Sequence, residues 1–177
     1  MRSRDAMPDR TPGHLTTFSY VGLYRYSLTF CCHNRQRRFD EKTAVDLVLS
    51  QIRRAANDEW FAISAYCFMP DHLHLIIEAR DTTSNALKFI KRAKQFSGFY
   101  YKQKYHEPLW QRYGYEHVLR DDDDVRRAAR YIFENPVRAS LVSSPQNYPY
   151  LGSDTHSVNE ILAFASASAS TSTSTSG

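Results

Sequence analysis

Two histidines separated by one residue, His72 and His74, sit in an otherwise apolar run from Tyr66 to Glu78 (YCFMPDHLHLIIE). Pro70-Asp71 reads as turn punctuation, so the residues after it begin a strand and alternate across its two faces. His72, His74, Ile76 and Glu78 then share one face, and Leu73, Leu75 and Ile77 take the other. Neighbouring imidazoles on one face project in parallel and can converge on one metal ion. Glu78 lies about 13 Å beyond His74 at roughly 3.3 Å per residue, too far to complete the same shell. An isolated His-x-His is more often packed or hydrogen-bonded than metal-binding, because a closed zinc site uses four ligands. Further donors must come from another element.

Tyr131 and Asn135 are spaced i and i+4 on an amphipathic stretch, which puts them on one helical stripe. Asn135 offers a hard carbonyl oxygen. Two imidazoles and one amide would leave positions for water and a phosphate oxygen on Mg²⁺ or Mn²⁺. The plain alternative is a half-buried tyrosine and a capping asparagine, and with twelve tyrosines in the chain the pattern alone does not single one out.

The elements that must position these residues follow from periodicity. Tyr20–Cys32 reads as a strand, Asn34–Arg38 as a basic turn, and Glu41–Asn57 as a helix with Val45, Val48 and Ile52 on one face. Trp60–Met69 and His72–Glu78 read as a hairpin. Thr82–Tyr101 reads as a second helix with Leu87, Ile90, Ala93 and Ser97 inward. Two short strands, 109–112 and 115–119, precede a helix opened by Asp121–Asp124 and ended at Asn135 by Pro136. The order β-α-β-β-α-β-(β)-α predicts an α+β fold, an antiparallel sheet covered by helices in the ferredoxin-like, RRM-like manner. One domain over 16–150 is expected, with residues 1–15 as a flexible start. An extension over 151–177 ends in the low-complexity tail Ala165–Gly177, whose composition offers little apolar surface to order it.

The chain has 177 residues, 42% apolar and 24% charged, which excludes wholesale disorder. It contains no apolar run near the roughly 18 residues of a membrane span, and its polar start lacks the core of a signal peptide, so a cytoplasmic protein is expected. Cys31, Cys32 and Cys67 form no Cys-x-x-Cys pair and read as reduced thiols. Net charge is +4, but Arg80–Tyr105 carries seven basic residues against the single acid Asp81. That concentration suits a phosphate backbone. The candidate contacts are Lys88, Lys91, Arg92, Lys94, Lys102 and Lys104, with Arg35, Arg37 and Arg38 of the basic turn. Phe99, Tyr100, Tyr101 and Tyr105 are candidates for stacking unpaired bases.

Three segments, Tyr66–Ile77 (YCFMPDHLHLII), Leu109–Leu119 (LWQRYGYEHVL) and Tyr131–Val142 (YIFENPVRASLV), occur in an order and spacing that resemble the REP-associated tyrosine transposases. These are relatives of the single-tyrosine insertion-sequence transposases with the His-hydrophobic-His signature, the HUH endonuclease type. The resemblance covers about residues 20 to 150. It implies cleavage and rejoining of single-stranded DNA with hairpin or repeat structure, through a 5′-phosphotyrosine. By the same resemblance the nucleophile falls on Tyr131, the paired metal ligands on His72 and His74, and the polar third ligand on Asn135. A monomer or a homodimer is compatible with it. Two rival readings are a metal-dependent phosphoesterase that activates water and leaves Tyr131 as packing, and a non-catalytic nucleic-acid module.

Overall fold

The computed structural model describes residues 18–167. The expected flexible start, 1–15, and the tail beyond 167 lie outside the described residues. The elements are β1 (Arg25–Cys32), α1 (Lys42–Asp58), β2 (Phe61–Met69), β3 (His72–Ala79), α2 (Ala86–Tyr105), β4 (Trp110–Leu119), α3 (Asp122–Arg138), β5 (Leu151–Gly152) and α4 (Val158–Ala167). The five strands form one antiparallel sheet in the order β4-β1-β3-β2-β5. The α+β architecture, with the histidine strand β3 in the centre, agrees with the sequence pattern.

The alternation of β3 decides what lies on each side. Leu73, Leu75 and Ile77 are fully buried and pack with Leu28, Phe30 and Ile63 against α1 and α2. Ile76, on the other face, joins Ala65, Cys67 and Met69 beneath Ala129, Ile132 and Phe133 of α3 and Ile161 of α4. One face of the sheet is therefore closed by an extensive apolar layer. The other is covered by α3 and α4 and carries the histidines.

Several boundaries differ from expectation. The first strand starts at Arg25, because Gly22 takes φ +135° and its N–H bonds to the carbonyl of Ser84. Leu87 is 37% exposed. The buried stripe of α2 is Ala86, Phe89, Ala93, Ser97 and Tyr101, so Ala93 and Ser97 face inward as expected and Ile90 packs partly buried against the core, while Ala86 and Phe89 take the place expected of Leu87. The two short strands after α2 are one ten-residue strand whose register against β1 shifts between Phe30 and Cys32. Asp121 caps α3 as expected, its carboxylate accepting from the N–H of Asp124 at 2.8 Å. Pro136 does not end α3, which runs on to Arg138. In the last turn proline removes only one backbone donor, and the following bonds, Ala139 N–H to Asn135 O and Leu141 N–H to Pro136 O, still form. β5 and α4 were not anticipated. Ala165, read as the start of the unordered tail, lies inside α4 and is buried. All three cysteines are buried and unpaired, as expected.

Candidate active site

The β2–β3 hairpin turns on Pro70-Asp71, with Met69 paired to His72. The carbonyls of Pro70 and Asp71 accept from Arg38, Phe39 and Cys32 N–H groups, so the turn is held by the segment that follows β1. This fixes the base of both imidazoles. His72 Nε2 and His74 Nε2 are 3.0 Å apart. Their outer nitrogens are engaged: His72 Nδ1 lies 2.6 Å from Asp71 Oδ1, and His74 Nδ1 lies 2.9 Å from the Thr29 hydroxyl on β1. A carboxylate can only accept, so His72 donates from Nδ1 and presents a bare Nε2.

Burial pushes the His74 pKa down to about 3, helped by the neighbouring His72, Arg138 and Arg35. His72 is also lowered by burial, with Asp71 acting in the opposite sense. Burial thus favours the neutral form of both rings. Asp71 is in turn braced by Arg35, whose Nε stands 2.9 Å from Asp71 Oδ2.

α3 crosses this face because Ile132 and Phe133 are fully buried against it. That anchor leaves Tyr131 55% exposed and turned to the cleft, its ring edge-on to His74 with centroids 5.8 Å apart. His72, His74, Tyr131, Asn135, Arg35 and Arg138 all line one open cleft of about 610 Å³. The structure therefore brings together the four residues singled out on β3 and α3. Glu78 lies outside this cleft, beside a separate apolar cavity with Ile161 and Phe164.

Arg138 was not singled out by sequence reasoning. Its Nη2 donates to the Tyr131 carbonyl at 2.6 Å and to Asn135 Oδ1 at 2.8 Å, and its guanidinium covers the Tyr131 ring at 4.3 Å. The signal was its position, seven residues after Tyr131 on the same helical stripe. Asp71 and Thr29 were also missed. Asp71 adjoins His72 in sequence, whereas Thr29 is identified only by the β1–β3 register, which sets it opposite His74.

The basic residues fall into separate places. Arg35 reaches the cleft. Arg37 is bonded to Asp40 at 2.7 and 2.9 Å, and Arg38 is ion-paired with Glu107. α2 lies on the opposite side of the sheet from the histidines. On it Lys88, Lys91, Lys102 and Lys104 are exposed. Arg92 pairs with Asp58 and Glu59, and Lys94 Nζ donates to the carbonyls of Gln111 and Arg112. Of the candidate stacking aromatics, Tyr101 is buried against Tyr105, while Phe99 and Tyr100 are exposed.

The donor set can be tested against a metal ion. Among the described residues there is no cluster of three or more His, Cys, Asp or Glu side chains. The candidates are two imidazoles and one amide. Two nitrogens bound at right angles to one ion at about 2.1 Å stand about 3.0 Å apart, which matches the observed separation. The Asn135 atom able to ligate, Oδ1, accepts from Arg138 Nη2 at 2.8 Å, while its Nδ2, a donor, is buried without a partner and suits an acceptor such as a phosphate oxygen. The residues fit a hard divalent cation that takes its remaining ligands from water or phosphate.

An antiparallel α+β sheet with a histidine pair facing a helix-borne tyrosine defines a class that the family comparison makes specific. The family model for IS200-like transposases matches residues 20–135, and the chain belongs to that family. It is 34% identical over 103 residues to a Haemophilus influenzae protein assigned to the REP-associated tyrosine transposases, covering 51% of this chain and 57% of that one. It is 29% identical over 111 residues to the REP-associated tyrosine transposase of Escherichia coli K12, covering 61% and 64%. The chain thus spans less than two thirds of either relative. Among solved structures, a REP-associated tyrosine transposase bound to a REP hairpin superposes with a TM-score of 0.66 at 22% identity, over 76% of this chain and 79% of that one, which establishes a common fold. Among the described residues no helix is long and apolar enough to cross a membrane.

Proposed function

We propose that this chain is a metal-dependent single-stranded DNA endonuclease and strand transferase acting on hairpin or repeat DNA through Tyr131. The carrying observation is the pair of imidazole nitrogens 3.0 Å apart with the Tyr131 ring edge-on to His74. Membership of the IS200-like family and the fold shared with a hairpin-bound transposase support it.

His72 and His74 would hold the cation, with Asp71 and Thr29 orienting the rings, and Asn135 would supply the third protein ligand. When bound, Mg²⁺ or Mn²⁺ polarises the phosphoryl oxygen and stabilises added charge. Tyr131 Oη attacks phosphorus, a tyrosyl–phosphorus bond forms and the bond to the 3′ oxygen breaks. The phenolic proton passes to water, and the leaving oxygen takes up a proton from water to become a free 3′-hydroxyl. The 5′-phosphotyrosine conserves the phosphodiester linkage, so a second 3′-hydroxyl reverses the step without ATP. Arg35 and Arg138 add positive charge within the cleft. Lys88, Lys91, Lys102 and Lys104, a layer away, attract the polyanion at longer range.

Incubation of the chain with a single-stranded hairpin oligonucleotide and Mg²⁺ or Mn²⁺, followed by denaturing electrophoresis, tests this reading. A covalent adduct that disappears in Tyr131→Phe and on chelation is expected. Cleavage that persists in Tyr131→Phe without any adduct would replace it with a water-using phosphoesterase.

A further inference from the structure

The strand bordering the cleft carries two aromatic rings that the chemistry above does not use. β4 is an edge strand that pairs with β1. Along it Tyr113, Tyr115 and His117 are exposed, while Gly114, Glu116 and Val118 between them are half-buried. Tyr115 is 58% exposed and Tyr113 55%. Tyr115 stands opposite Thr29 in the β1 register and lines the same cleft as His74 and Tyr131. Exposed edge strands are commonly protected by lysine or proline, so large aromatic side chains here are a departure. The Arg112 guanidinium lies 5.4 Å over the Tyr113 ring, and Arg35 and Arg138 line the cleft as well. Aromatic faces beside guanidinium groups are the surface that unpaired nucleotides bind.

We propose that Tyr115, with Tyr113 beyond it, is a stacking platform for the unpaired nucleotides next to the scissile phosphate. This rests on the DNA-cleaving reading and adds to it the element that sets the strand's position relative to Tyr131. Tyr115 is in regular register with β1, whereas Tyr113 lies in the stretch between Trp110 and Gly114 where that register shifts, so the two rings are not held at one fixed strand repeat. Each exposed ring can accept one splayed base. A polypeptide adding to the β4 edge would instead use backbone groups. Lys94 Nζ, however, engages the carbonyls of Gln111 and Arg112 at 2.7 and 3.1 Å, which takes part of that strand's acceptors.

The test compares wild type, Tyr115→Ala and Tyr115→Phe in binding two DNA hairpins. One is blunt, and the other carries single-stranded tails containing 2-aminopurine, whose fluorescence is quenched on stacking. Wild type should favour the tailed hairpin and quench it. Tyr115→Ala should lose about 10-fold in affinity for the tailed hairpin and most of the quenching, with blunt-hairpin binding unchanged. Tyr115→Phe, which keeps the ring face, should stay close to wild type. Equal affinity of Tyr115→Ala and wild type for the tailed hairpin, or an equal loss on both hairpins, overturns the platform while the Tyr131-dependent adduct stands. A wild type that binds neither hairpin and forms no adduct overturns both readings.

Discussion

Replacing Asp71 by asparagine tests whether the histidine pair is built to hold a cation. Asp71 uses both carboxylate oxygens, Oδ1 at 2.6 Å from His72 Nδ1 and Oδ2 at 2.9 Å from Arg35 Nε. Asparagine keeps the shape but can turn its amide N–H toward Nδ1, which moves the imidazole proton to Nε2 and blocks that nitrogen as a ligand. Loss of such an outer partner costs about 10- to 100-fold in metal affinity, or ~1.4 to 2.7 kcal/mol. The His72 side chain is only 16% exposed, so water replaces the lost bond poorly and the upper half of that range is expected. Titration of the DNA-free chain with Mn²⁺, followed by electron paramagnetic resonance, reads this directly. Thr29→Val belongs to the same series. It removes a neutral bond of 2.9 Å to His74, so its loss should be smaller than that of the charge-assisted one. Asp40→Asn, an exposed acid bonded to Arg37, controls for charge alone. Equal Mn²⁺ affinity in Asp71→Asn and wild type would refute the reasoning.

Gly114→Ala should destabilise the fold by about 1 to 3 kcal/mol in urea unfolding, because the added Cβ would lie 2.7 Å from the backbone oxygen of Thr29 and β4 has to move off β1. A second expectation concerns acid. His74 has a folded pKa of about 3 against an ordinary value near 6.5, so the unfolded chain binds more protons between those values. Stability from this group is complete above about pH 6.5 and declines as pH falls toward 3, with a slope approaching about 1.4 kcal/mol per pH unit. Unfolding measured from pH 7 to 4.5 should show a shallower slope in His74→Gln than in wild type.

The histidine pair and its shared face were legible because a strand alternates and Pro70-Asp71 marks where it starts. The i, i+4 relation of Tyr131 and Asn135 was legible for the same kind of reason. The contact between the two elements was not, since nothing local says that Ile132 and Phe133 bury against the side of the sheet that carries His74. Thr29 illustrates the limit most clearly. Its partner lies 45 residues away, and only strand register connects them. The surroundings of the basic helix were hidden for a related reason. Charge counts do not reveal that Lys94 turns back to the β4 backbone, that Arg92 is held by Asp58 and Glu59, or that the whole helix covers the opposite face.

The route of α3 through Pro136 carries the last step. Had the helix stopped at Asn135, as proline suggests, Arg138 would not return along the stripe to Tyr131. Because it continues, one guanidinium holds the Tyr131 carbonyl, covers its ring and occupies the Asn135 oxygen. On the reading proposed above, that oxygen is wanted by the cation, and the guanidinium is wanted by the phosphate over Tyr131. Each ligand draws away one member of the same hydrogen bond, so binding of either lowers the cost of binding the other. Metal and DNA affinities are then coupled in both directions by the same factor, since linkage is reciprocal.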